Sequence, residues 1–421
     1  MFFHQPPLRL AMKKSLLSAL MLAGFLDIAN FFMPIPIYTP LFLHSNLLLG
    51  YPEESKSILL GILVACYGVA QLIAAPIFGE LSDQRGRKKI ILLSLSMAVI
   101  GCILGGLSLS ITSLPLIFLS RILIGVASGT IAIVFAAAAD NSSEKDRPKN
   151  LGYINTGLAV GVITGPIIGG HLVAVGSTSP HAFSYPFYFM ALVYLANIFL
   201  LIKVLPFDLP SKKQGKRIHI FTAFQNITIA MKRSRYLCLM ILMALFFQIG
   251  TESFYLAAPI VAVRQFVMTP PMIANYFIGF GIVGAITSWW LNKVVSHIWS
   301  TRAICAYSII LYFIGISSFI IVHNKISFFI PFFSVAIFGV LAWIHTNNLF
   351  SQAVDSTEQG LILGVSQSLW SMGGMLGTFL VGIIDAVHQV SVPYLPVLFI
   401  AISSIFAVLM LKSQQIKPSA I

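Results

Sequence analysis

Charge is what this sequence has least of. Only 9% of its 421 residues are Asp, Glu, Lys or Arg, and just 13 of them are acidic. A soluble domain averages ~25% charged residues, so a solvated globular surface is excluded, and with a mean hydropathy of +0.91 the chain reads as an integral membrane protein. Cysteine is equally sparse. Cys66, Cys102, Cys238 and Cys305 fall one each in separate apolar runs without metal-ligand spacing, which predicts packed thiols and no metal site. There is no phosphate-binding Gly-Lys loop and no nucleophile with a base partner at motif spacing. The expectation is therefore no enzyme, no cofactor and no ATP, with energy drawn from an ion gradient.

What is present is a series of long apolar runs. At ~20 residues per crossing they give twelve spans, at about 15–41, 57–78, 90–111, 115–138, 151–175, 184–205, 236–262, 270–292, 302–322, 326–350, 360–385 and 392–411. The basic N-terminal stretch Met1 to Lys14 leads into a run too long for a signal-peptide core, which predicts a retained first helix. The net charge of +13 does not indicate nucleic acid. With both termini cytoplasmic, 22 of the 26 Lys and Arg fall in cytoplasmic segments and only Lys56, Arg264 and Lys325 in outer connections. That asymmetry is the positive-inside signature. The longest polar stretch, about 206–235, divides an N-terminal six-helix half (1–205) from a C-terminal one (236–421).

The halves carry traces of a repeat. Leu151-Gly152 with Gly161, Gly165 and Gly170 corresponds, 212 residues later, to Leu363-Gly364 with Gly373, Gly377 and Gly382. Asp27 lies seven residues before Pro34, and Glu252 seven before Pro259. A parallel repeat of this kind brings matching helices to face each other at the bilayer midplane.

The most concentrated polar stretch is Gly79-Glu-Leu-Ser-Asp83-Gln-Arg-Gly86-Arg87-Lys-Lys89, between spans 2 and 3. It reads as a tight reversal permitted by Gly79 and Gly86, at a membrane surface because its cations cannot lie in hydrocarbon. Together with twelve spans in two halves, it resembles the major facilitator superfamily and its signature G-x-L-[SA]-D-x-x-G-R-[KR]-[KR]. Arg121, Gly125 and Gly129 of span 4 are similar to that family's R-x-x-x-G-x-x-x-G pattern. Gly157, Gly161, Gly165, Pro166, Gly169 and Gly170 of span 5 look like the antiporter motif of its drug:proton exporters, the branch that includes tetracycline efflux proteins. The corresponding turn of the second half, Leu291 to Arg302, lacks the Gly and Asp positions.

The resemblance implies an all-α membrane fold of two pseudo-symmetric six-helix bundles. It also implies that Asp83 reaches helix 11 of the other half and that Arg87 pairs with an acid at the end of helix 4, here Asp140, so that the two hold the cytoplasmic side closed. A merely topogenic basic turn is the alternative. Arg121, the only cation within a span, is implied in proton coupling, biasing a nearby acid; a structural anchor to carbonyls is the alternative. Asp27 is the first candidate for the coupling acid and Glu252 the second, since a carboxyl group among apolar side chains can take and release a proton during a cycle; either can instead be a structural acid. The glycines of span 5 form one stripe that admits a close helix partner, expected to be helix 8, with Pro166 favouring a kink.

Asn30, Gln71, Asn155, His345, Asn347, Asn348, Gln367 and Asp385 complete the polar inventory within spans. All but Asn348 and Asp385 are carried as candidates for a substrate cavity, and Phe31, Phe32, Tyr38, Phe247, Tyr255 and Trp370 as aromatic neighbours of it. Bonding between helices is the alternative for each polar one. The expected activity is proton-driven export of a small amphipathic molecule or drug by a single chain in a bacterial inner membrane. Its partners are that solute, protons and the bilayer. Proton-coupled uptake of an amino acid, sugar or iron chelate is the alternative, and a non-transporting membrane receptor a third.

Overall fold

In the computed structural model, which describes residues 14–44, 46–48, 50–143, 145–175, 181–205, 222–354 and 359–413, apolar sequence has become long helices that contain their own backbone hydrogen bonds. Among the described residues twelve are long and apolar enough to cross a membrane. They are α1 (Lys14–His44), α2 (Glu53–Arg85), α3 (Arg87–Ser110), α4 (Leu114–Asp140), α5 (Lys149–Val173), α6 (Ala182–Val204), α7 (Arg235–Phe266), α8 (Pro270–Ile298), α9 (Thr301–Ile321), α10 (Phe329–Gln352), α11 (Gly364–Val387) and α12 (Gln389–Lys412). No strand occurs among the described residues. The fold is all-α, two six-helix bundles. Two of the helices carry a wider π-turn, Thr287–Leu291 in α8 and Val335–Gly339 in α10.

The repeat is visible in the packing. On α5, a Cβ added at Gly161 would lie 2.7 Å from the Phe25 carbonyl oxygen, and one at Gly165 would meet the Ala29 carbonyl, both on α1. On α11, Gly373 and Gly377 stand in the same relation to Gln248 and Ile249 of α7. The last glycine of each stripe instead crosses to the other bundle. Gly170 touches Pro270 and Ala274 of α8, and Gly382 touches Gly61 of α2. The stripe of Gly157, Gly161, Gly165 and Gly169 is therefore a seat for α1, not for the expected α8; residue 170 and Ile163, against Gly281, reach α8 instead.

The polar stretch 79–89 is less of a turn than its composition implies. α2 continues through Asp83 to Arg85, and the break is confined to Gly86, whose φ of 95° is the left-handed conformation that glycine adopts without penalty. Gly79 is helical, with open space around it. Just past the break, Lys88 is buried, and its Nζ donates to the carbonyls of Ile202 (2.7 Å) and Leu205 (2.6 Å), satisfying the end of α6. At the equivalent start of α9, Arg302 donates to Leu411 at 2.8 Å and also to the carbonyls of Met410 and Ser413, at the end of α12. So the second half keeps the capping cation of the motif while lacking its Gly and Asp.

Of the central loop, residues 206–221 lie outside the described residues, as do Arg9, Lys13 and Lys417. Its last part is structured: Thr222–Arg233 is a helix resting on α7, α11 and α2.

Candidate functional site

The bundles meet unevenly. At the end remote from residues 79–89, a Cβ at Gly61 would lie 2.8 Å from the Gly382 Cα, and one at Gly68 2.9 Å from the Met375 nitrogen. Towards the basic end, Cβ atoms at Gly79, Gly152 and Gly364 would meet nothing within 4 Å, and Tyr153, Asn155, Thr156 and Val160 of α5 are exposed. The structure is thus shut at the far end and parted at the basic end.

Between these ends, aromatic rings bridge the two bundles. Phe31 of α1 contacts Tyr67 of α2 (centroids 4.9 Å) and Trp370 of α11 (5.6 Å), while Phe32 contacts Tyr255 of α7 (5.3 Å). Offset and edge-on pairs of this kind are favourable. Glu252 hangs from this layer. It is 2% exposed; its Oε1 accepts a hydrogen bond from Trp370 Nε1 at 2.8 Å, and its Oε2 has no hydrogen-bond partner among the described residues. Asp27 is 6% exposed with Oδ2 equally unpartnered. Asp27 lies one turn before Phe31 on α1, on the same helix face. A buried acid with an oxygen left over is costly to keep charged, which suits a group that gains and loses a proton.

Arg121 is buried against Tyr67, its Cζ 5.0 Å from that ring's centroid and 5.8 Å from Tyr38's. Cation–π attraction supports it. Among the described residues it makes no ion pair, and its Nε and Nη1 have no hydrogen-bond partner. The expected neighbouring acid is therefore absent from its side in this conformation, and the anchor to carbonyls is not formed through those two nitrogens either.

At the basic end, Arg87 Nε donates to Asp140 Oδ2 at 3.1 Å, the pairing implied by the resemblance, and Arg87 also pairs with Asp83. Among the described residues Asp83 makes no pair with α11. Its side chain is about half exposed and its pairing stays within the first bundle, because the bundles are parted at this end.

The other cavity candidates disperse. Asn30 is fully buried against Cys102 of α3 (3.4 Å). His345 bonds Asn292 of α8 (3.0 Å), and Asn347 accepts from Ser366 of α11 (2.6 Å), both inside the second bundle. Asn155 is exposed and bonds the Leu151 carbonyl of its own helix; Gln367 is half-buried. Gln71 does cross between bundles, its Oε1 accepting from Ser371 at 2.9 Å. Of the aromatics, Phe247 pairs with Tyr312 and Tyr38 with Phe187, each within its own bundle. Sequence reasoning missed Tyr67, the ring that contacts both Arg121 and Phe31; a tyrosine in a Gly-rich apolar helix carries no spacing signal.

An apolar groove of about 380 Å³ runs along the α2–α4 seam, past Val69, Ile73, Ile122 and Val126, and includes none of these acids. Nothing in its lining can orient a solute, so the acid-bearing layer is the better candidate site.

Comparison with known proteins adds to this geometry. A family model described as Major Facilitator Superfamily matches residues 20–413. Multidrug resistance protein 1 of Bacillus subtilis (strain 168) is 28% identical over 77% of this chain and 80% of its own length. Tetracycline resistance protein, class H, of Pasteurella multocida is 34% identical over 188 residues, and that match spans only 44% of either chain. A crystal structure of a D-xylose-proton symporter superposes with a TM-score of 0.76 at 14% identity, covering 97% of this chain and 99% of that one, which speaks to the fold alone.

Proposed function

Because the chain belongs to the major facilitator superfamily, we propose that it is a proton-coupled exporter of small amphipathic molecules, working by alternating access between its two bundles. The observation that carries the reading is the pair of buried carboxyl groups, Asp27 and Glu252, one from each bundle, set around an aromatic layer at the floor of a one-sided opening. Aromatic rings without a dense set of hydrogen-bond donors favour apolar, ring-bearing solutes over sugars or amino acids. The drug-resistance names of relatives that match along most of the chain's length fit the same direction.

The parted end carries the motif cations and is assigned to the cytoplasm by the positive-inside rule. In that conformation solute enters from the cytoplasm, the bundles rock, and protonation from outside resets them. Arg87 with Asp83 and Asp140 would then brace the cytoplasmic ends of α2, α3 and α4 as one rigid piece during the rocking. The protein would act as a single chain in a bacterial inner membrane. Inside-out vesicles given a panel of labelled lipophilic cations, sugars and amino acids, with and without an imposed pH gradient, test this. Gradient-driven accumulation of the lipophilic solutes is expected, and accumulation only of sugars or amino acids in right-side-out vesicles would replace it with uptake.

A further inference from the structure

Asp385 was only part of the polar inventory of the sequence, and Arg264 only a cation counted in an outer connection. The structure brings them together at the closed end. Asp385, in the last turns of α11, is fully buried, and its Oδ2 accepts from Ser57 Oγ of α2 at 2.6 Å and from Nε and Nη2 of Arg264 at 3.3 and 3.1 Å. Arg264, in the last turn of α7, also donates from Nη2 to Ser57 Oγ (3.0 Å) and lies 3.6 Å, through Nη1, from Glu53 Oε2 of α2. Glu53 in turn pairs with Lys56 at 2.7 Å. Helix α2 belongs to one bundle, α7 and α11 to the other.

We propose that Ser57, Arg264 and Asp385 form a polar latch that holds the outer face closed, and that they are positioning residues for transport because they set how often that face opens. The seam below them is glycine on glycine, Gly61 against Gly382, with no side chain interlocked at that point, and the Gln71–Ser371 bond crosses the same helix pair further in. At the outer rim itself, the bonds from Ser57 and Glu53 to Arg264 and Asp385 are what must be broken. Their chemistry suits a reversible closure. Buried charges lose hydration when the seam shuts and regain it when the seam opens, so much of the Coulombic gain is offset, and the net bias stays small enough for solute and gradient to reverse. A hydrogen bond to a charged group, removed alone, moves such a balance by about tenfold or more.

This rests on alternating access but on neither the solute nor the proton. It is tested on the full chain in liposomes, with Cys66 and Cys238 replaced by Ser and spin labels at Tyr51→Cys and Val390→Cys, exposed sites at the outer ends of the two bundles. Distances between labels are measured by double electron–electron resonance. Wild type is expected to show a dominant short distance. Ser57→Ala and Asp385→Asn raise the long-distance population relative to the short one by about tenfold, and Asp385→Glu returns it towards wild type. Ser57→Ala loses only a hydroxyl group, so it decides the matter even if Asp385→Asn fails to insert. Unchanged distributions in Ser57→Ala, in a protein whose wild type does open under a gradient, would overturn the latch. A wild type that never changes its distances under any gradient or solute would overturn alternating access itself, and with it the latch.

Discussion

Asp27→Asn is expected to abolish gradient-driven export while leaving solute exchange across the membrane intact. The substitution keeps the size and one acceptor oxygen of the side chain but removes its capacity to carry a proton. Asp27 has an unpartnered oxygen in a site only 6% exposed, so no ion pair is lost with the charge. If the acid links the gradient to the bundles, its removal cancels a coupling free energy, which in proteins is typically ~1–3 kcal/mol, or about 5–150-fold. Glu252→Gln is the matched experiment in the other bundle. Its Oε1 accepts from Trp370 Nε1, and the amide oxygen of Gln can still accept that bond, so packing is preserved while protonation is not. Initial rates of export and of exchange in liposomes, read separately, divide the two acids: the coupling residue loses only the first. Unchanged gradient-driven export in both variants would remove the carboxyl groups from the mechanism.

The second large effect concerns the seat of α1. Gly161→Val places branched carbon where a Cβ alone would already lie 2.7 Å from the Phe25 carbonyl oxygen and 3.0 Å from the Ala29 nitrogen. Both obstacles are backbone and cannot swing aside. Overpacking of this kind costs typically ~1–3 kcal/mol, and here it pushes away the segment that flanks Asp27. A fall in thermal midpoint together with loss of transport is expected. Gly152→Ala, about two and a half turns earlier on the same helix, is the control, because nothing lies within 4 Å of its added Cβ. Its midpoint should stay level or rise, as alanine is the better helix former by roughly 0.5–1 kcal/mol. Equal behaviour of the two variants would contradict the assignment of this stripe to close packing on α1.

The helices were legible because a span is a local property: about twenty apolar residues suffice, and Gly86 marks its own break by requiring a positive φ. The acids were legible for a related reason, since charge within an apolar run stands out. Which surfaces meet was not. The glycine stripe of α5 shows that some helix approaches closely, but whether that is α1 or α8 depends on the packing of the whole bundle. Asp385 and Arg264 lie far apart in sequence within one bundle, and Ser57 joins them only when the two bundles close. The same holds for Lys88, whose capping of α6 spans more than a hundred residues and cannot be separated from topogenic charge by composition. Among the described residues Asp83 makes no pair with α11 for a different reason: a sequence encodes every state of a two-state protein, and this structure is parted at that end.

The central claim is that the cavity opens to one face at a time, and paired accessibility tests it most directly. In the Cys66→Ser, Cys238→Ser background, one cysteine replaces Thr156, exposed at the parted end, and in a second protein one replaces Leu60, buried beside Gly61 at the closed end. Labelling by an impermeant maleimide is followed from the corresponding side, with and without an imposed pH gradient. The account predicts that the residue 156 thiol reacts readily at rest and the residue 60 thiol does not, and that the gradient shifts the two rates in opposite directions. Rates that rise together, or that ignore the gradient, would contradict it.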